Sequence, residues 1–150
     1  MLSVNCGCEG AAQSQRLLVY HGPQLLVDVG FDEKFNPKIN AAPIPGIAKL
    51  KALVDTGARE SCVDSALAVR LGLPHFDRRT VSTVNGKMDV DFHLAQIHVP
   101  ALRFTIWGPF AAVPLIASGF RCEALLGRSF LSHFKMVYDG PSGAVVIESY

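Results

Sequence analysis

The sequence predicts an all-β fold, mainly strands with one or two short helices. Three observations carry that prediction. Thirteen glycines and nine prolines are spread along the whole length and cut the chain into short pieces. The pieces are rich in Val, Ile, Leu, Phe and Thr, side chains that suit a pleated, half-buried surface. Between two such pieces stands Asn85-Gly86, the dipeptide best suited to a two-residue type I′ hairpin turn.

Taken in order, residues 1–15 are small and polar and are expected to form a flexible N-terminal segment. Residues 16–150 are expected to form a single domain. Residues 16–20 and 24–31 read as strands joined at His21-Gly22-Pro23, the second with Leu25, Val27, Val29 and Phe31 on one face. Residues 32–46 carry Pro37, Pro43 and Pro45 and exclude a regular element. Residues 47–54 resume a strand, with Ala48, Leu50, Ala52 and Val54 inward and Lys49 and Lys51 outward. A helix over 65–71 is expected, capped by Asp64 and ended by Gly72 and Pro74. The hairpin arms are 80–84 and 87–99, with Met88, Val90, Phe92 and Leu94 sharing a face opposite Asp89, Asp91 and His93. Strands over 102–107, 111–116 and 124–126, a short helix over 129–134, and a closing hairpin of 135–138 with 144–148 complete the chain.

Composition narrows the function. At 150 residues, with 49% hydrophobic and 18% charged residues, the chain has enough apolar material for its own core. A formal net charge of +1 offers no clustered positive field, so no nucleic acid is expected as partner. No apolar run approaches the ~18–20 residues that span a bilayer, so no membrane partner is expected either. The first residues, MLSVNCGCEGAAQSQ, lack the basic start and apolar stretch of a secretory signal, which points to a cytoplasmic location. Cys6-Gly-Cys8 is the one close cysteine pair among four, and His93 and His98 fall on opposite faces of a strand. No metal site and no cofactor are expected, and free thiols in a reducing compartment are the simpler reading.

Asp55 carries the chemistry. A carboxylate at the end of an apolar strand, followed by Thr-Gly, must be paired, desolvated or functional. An Asx-type turn with the amide of Gly57 would give it a purely structural task. Its context is Leu53-Val54-Asp55-Thr56-Gly57-Ala58. Far downstream, Leu125-Leu126-Gly127-Arg128 precedes a short helix, and the Asn85-Gly86 hairpin lies between.

In these pieces, over about residues 25–148, the sequence resembles the retropepsin-like aspartic proteases, the retroviral proteases and their bacterial relatives. The stretch ALAVRLGLP, Ala66 to Pro74, is similar to the helix that follows the active-site loop in the bacterial members. The resemblance implies a closed β-barrel of the acid protease fold, active as a homodimer on peptide or protein substrates. It makes Asp55 catalytic and Thr56, Gly57 and Ala58 the active-site loop, with the Thr56 hydroxyl bonding the partner's loop. It makes Val84, Asn85, Gly86 and Lys87 the tip of a substrate-covering flap, and Leu125, Leu126 and Gly127 a support behind the loop.

The chemistry of that class needs two carboxylates sharing one proton across a water. Two carboxylates about 3 Å apart cannot both ionise, so one acts as acid while the other acts as base. One Asp-Thr-Gly loop per chain then requires a second copy. With Ala58 in place of a hydroxyl residue, nothing there stabilises the ionised form, and activity is expected at mildly acidic to near-neutral pH. Arg59 stands where retroviral members often carry an acidic residue. It is expected either to face substrate and favour acidic side chains or to be idle at the surface, with Arg128 pairing Glu60. A single glycine in the flap suggests a stiffer hairpin than a Gly-rich one. Two other readings stay open: a dimerisation or peptide-binding module on the same fold with little or no activity, and an unrelated barrel whose Asp-Thr-Gly is coincidental.

Overall fold

A computed structural model describes residues 1–150. The chain forms β1 (Ser3–Asn5), α1 (Ser14–His21), β2 (Gln24–Gly30), β3 (Ile47–Val54), β4 (Cys62–Asp64) and α2 (Ser65–Arg70). It continues with β5 (His75–Thr83), β6 (Gly86–Val99), β7 (Phe104–Val113), β8 (Ala124–Leu126), α3 (Arg128–Leu131), β9 (Lys135–Asp139) and β10 (Ala144–Glu148). A seven-stranded sheet runs β2-β3-β8-β4-β7-β6-β5, and β2 also pairs with β6, which closes the sheet into a barrel. Outside the ring, β5 and the far half of β6 project as a two-stranded ribbon. A second, three-stranded sheet has the order β1-β10-β9.

One core serves both sheets. Val27, Val29, Ile97 and Leu126 from the barrel, Val145 and Ile147 from the small sheet, Leu18 from α1 and Phe130 from α3 are all fully enclosed. Phe130 meets Phe104 edge-on at a centroid separation of 6.0 Å and Phe134 at a tilt at 4.9 Å. No helix is long and apolar enough to cross a membrane.

The structure departs from the sequence expectation in several places, each for a physical reason. Residues 1–15 contain a paired strand: the amide N–H groups of Cys6 and Cys8 donate to the carbonyls of Val145 and Gly143, both at 2.8 Å, and Cys6 is buried. Residues 16–20 are helical, with Leu18 as the single buried anchor of α1 and Gly22 (φ 68°) closing it by donating to the Leu18 carbonyl. The expected outward–inward alternation of residues 47–54 fails at Ala48, which is exposed, because β3 bulges there. The bulge leaves Val27 opposite Leu50 and Val29 opposite Ile47, with Lys49 in the left-handed region at φ 61°.

Residues 102–107 and 111–116, read as two strands, belong largely to one strand, β7. Gly108 at φ 127° bends it, and Pro109, exposed, still pairs opposite Leu94 of β6. At the hairpin tip the register pairs Thr83 with Gly86, so the turn residues are Val84 and Asn85 rather than Asn85 and Gly86. Only Gly86 has positive φ, at 108°, which excludes the type I′ turn expected there.

Residues 32–46 are irregular, as their prolines require, but they are pinned. The Asp32 amide donates to Gln96 Oε1 at 2.7 Å, Gln96 Nε2 donates back to the Asp32 carbonyl at 3.1 Å, and Phe35 meets the Trp107 ring edge-on at 6.1 Å. Asp64 caps α2 as expected, its carboxylate accepting from the Leu67 amide at 3.3 Å and from the Ile116 amide at 3.1 Å.

Candidate active site

Asp55 follows β3 directly. Its amide donates to the Leu126 carbonyl at 2.9 Å, which continues the parallel β3–β8 ladder that sets Val54 opposite Leu126. The side chain is half-buried, and its Oδ1 accepts from the Gly57 amide at 2.8 Å. That is the Asx turn considered above, and it occupies one carboxylate oxygen only. Oδ2 has no partner within the chain. Thr56 and Gly57 are exposed, and the Thr56 hydroxyl is likewise without a partner in the chain.

Behind this loop stands the β8–α3 corner. Gly127 is buried so tightly that a Cβ on it would lie 2.7 Å from the Glu60 carbonyl oxygen and 2.9 Å from that of Ala58. Its amide donates to the Ser61 hydroxyl at 3.1 Å. The next two amides, of Arg128 and Ser129, donate to the carbonyls of Ala58 and Arg59, each at 2.9 Å. Arg128 reaches over the loop and donates from Nη1 to the Thr56 carbonyl at 2.8 Å. It does not pair with Glu60 as expected; Glu60 lies instead 3.6 Å from Arg59, both well exposed. Leu126 is buried, and Leu125 is half-buried opposite Cys62.

One member of this arrangement, Ser61, was missed in the sequence: a buried hydroxyl whose only cue is a small polar residue entering an apolar strand. Cys62, legible in the sequence as a buried thiol, stands beside it: burial and the nearby Asp55 charge push its thiol up to about 11, while a hydrogen bond with the Leu125 backbone acts the other way. The thiol therefore stays neutral beside Asp55.

The hairpin of β5 and β6 brings Val84, Asn85, Gly86 and Lys87 together at its tip, all exposed, with Val84 wholly so. Thr83 Oγ1 donates to the Gly86 carbonyl at 2.8 Å and accepts from the Asn85 amide at 3.3 Å, closing the tip. No three His, Cys, Asp or Glu side chains converge as a metal site, and all four cysteines are free thiols.

A retropepsin-like aspartic protease from Rickettsia conorii superposes with a TM-score of 0.53 at 18% identity, over 97% of this chain and 90% of that one. EIAV protease, in complex with the inhibitor HBY-793, gives 0.47 at 18% identity, covering 73% of this chain and 85% of that one. Simian foamy virus (mac) protease gives 0.45 at 20% identity, covering 73% and 91%. At such identities the first of these shows a shared fold. No curated protein sequence matches. The family described as gag-polyprotein putative aspartyl protease matches over residues 42–133, more than half of the chain and the whole stretch from the approach to Asp55 through Gly127. The chain belongs to that family, and its fold is that of the retropepsin-like aspartic proteases.

Proposed function

We propose that the protein is an aspartic endopeptidase whose water is activated by two Asp55 carboxylates, one from each copy in a symmetric homodimer. The observation that carries the reading is the Asp55 loop itself. One carboxylate oxygen is fixed by the Gly57 amide, the other is left free at an exposed edge, and the loop is held from behind by Gly127 and Arg128. A single carboxylate in this setting lacks the second group that acid–base cleavage of an amide requires. A second copy supplies it, and the Thr56 hydroxyl, unpartnered within the chain, would bond across the axis.

In the dimer, the ionised Asp55 takes a proton from the water while its protonated twin donates to the scissile carbonyl oxygen. Titration then belongs to the pair. An extended peptide would lie as an added strand across both loops, beneath the two projecting hairpins with Val84, Asn85, Gly86 and Lys87 at their tips. No metal or organic cofactor takes part. Ala58 brings no hydroxyl to the dyad, which favours work at mildly acidic to near-neutral pH.

The test is cleavage of a mixed peptide library between about pH 4 and pH 8, wild type beside Asp55→Asn, with sedimentation of both. Bonds cut by wild-type dimers and spared by mutant dimers are the expected result. Folded wild-type dimers that cut nothing would overturn the peptidase in favour of a binding module.

A further inference from the structure

A cavity of about 670 Å³ lies near the Asp55 loop without Asp55 in its lining. Its walls come from the outgoing arm of the Asp55 loop (Arg59), the base of the projecting hairpin (Arg79 and Phe92) and β7 (Trp107 and Phe110). The cavity thus shares the Asp55 loop and the projecting hairpin with the candidate active site. The lining is aromatic, yet it carries two guanidinium groups against a single carboxylate, that of Glu60.

The two arginines are held differently. Arg79 pairs through Nε with Asp77 Oδ2 at 2.9 Å and lies over the Phe92 ring, its central carbon 4.6 Å from the centroid. This fixes the guanidinium on an apolar bed and leaves both terminal amino groups without a partner in the chain. Arg59 has only the 3.6 Å contact with neighbouring Glu60, between groups that are 84% and 65% exposed, so water screens it and its fork is available. The Phe92 face beneath Arg79 keeps water from one side of that guanidinium and strengthens its pull on an anion, while the exposed Arg59 adds a second, freely placed fork.

The geometry points to this cavity as a specificity subsite that takes an acidic side chain of the bound peptide, at a position flanking the scissile bond. Arg59 and Arg79 grip the carboxylate, and the aromatic walls cover the stem that carries it. This rests on the reading of the Asp55 cleft as peptide-cleaving, and it narrows the substrate class from extended peptides in general to those with a flanking Asp or Glu.

Trp107 is the only tryptophan and stands in the cavity wall, so its emission reports occupancy without turnover. Asp55→Asn protein would be titrated with extended peptides carrying one Glu at successive positions beside an apolar pair, each matched to its Gln twin. At one position the Glu peptide should bind about tenfold tighter than its twin, as a charge-assisted contact to a fixed guanidinium implies. The preference should fall below about twofold in the background of Arg59→Gln with Arg79→Gln, and partly in Arg59→Gln alone, whose exposed side chain the fold does not need. Equal binding of the twins at every position, a preference that survives both substitutions, or peptides that leave Trp107 emission unchanged would overturn the subsite. Cleavage of the same peptides by wild type is scored separately. Binding with an intact acidic preference but no cleavage would sink the peptidase and leave the subsite standing.

Discussion

A methyl group placed on Gly127 has nowhere to go: the atoms it meets are the backbone oxygens of Glu60 and Ala58 and the carbonyl carbon of Glu60, at 2.7 to 2.9 Å, not the movable ends of side chains. Gly127→Ala must therefore push the Asp55 loop outward. We expect a loss of about 1–3 kcal/mol, as for overpacking elsewhere, and a larger fractional loss of activity, since Asp55 moves with the loop. Denaturant midpoints beside turnover numbers check both. The same residues show what a sequence reveals of a site. Asp55, Thr56 and Gly57 are legible because their chemistry lies in consecutive positions. The Ser61–Gly127 and Arg128–Thr56 hydrogen bonds join residues 66 and 72 positions apart. Nothing local announces them, and charge alone pointed Arg128 to the wrong partner.

At the scale of elements, the projecting hairpin is held by its own charges. Asp91 is kept below the usual carboxylate value of 3.8 chiefly by its hydrogen bond with His75, helped by Arg78. Asp77 is lowered chiefly by Arg79, with the Arg78 amide contributing. A depressed folded value means that these contacts stabilise the hairpin above about pH 4 and are lost as pH falls through the folded values. Both carboxylates are exposed, so the effect is local. Amide protection over residues 75–91, measured relative to the intrinsic exchange rate at each pH, should fall as the medium is acidified below that point, and Asp91→Asn should blunt the fall. A flat profile in wild type would show that the ribbon is held by its ladder alone.

Element reading from the sequence succeeded where one signal dominated. It found β2, the irregular 32–46 stretch and the Asp64-capped helix. It failed where tertiary packing overruled local preference. The β-rich stretch at residues 16–20 winds into α1 to bury Leu18, and β7 runs through Gly108-Pro109 because its pairing with β6 continues across both residues. The hairpin's existence was legible from Asn85-Gly86, but its register was set by β6 pairing along its whole length with β5 and β7.

For the whole molecule, the proposed site has a stoichiometric signature. If each functional centre needs one Asp55 from either copy, equal amounts of wild type and Asp55→Asn that exchange subunits should retain about a quarter of the wild-type activity, the fraction of all-wild-type pairs. Retention of half would mean that each chain works alone. The barrel's strand order also carries a consequence in time. β8 lies between β3 and β4, parallel to one and antiparallel to the other, although it follows them in the chain by some seventy and sixty residues. Until Ala124–Leu126 arrives, β3 and β4 have no common neighbour and the Asp55 amide has no carbonyl to meet. A growing chain thus carries its acid long before it can seat it, and the loop takes its working shape only once the last third has been made.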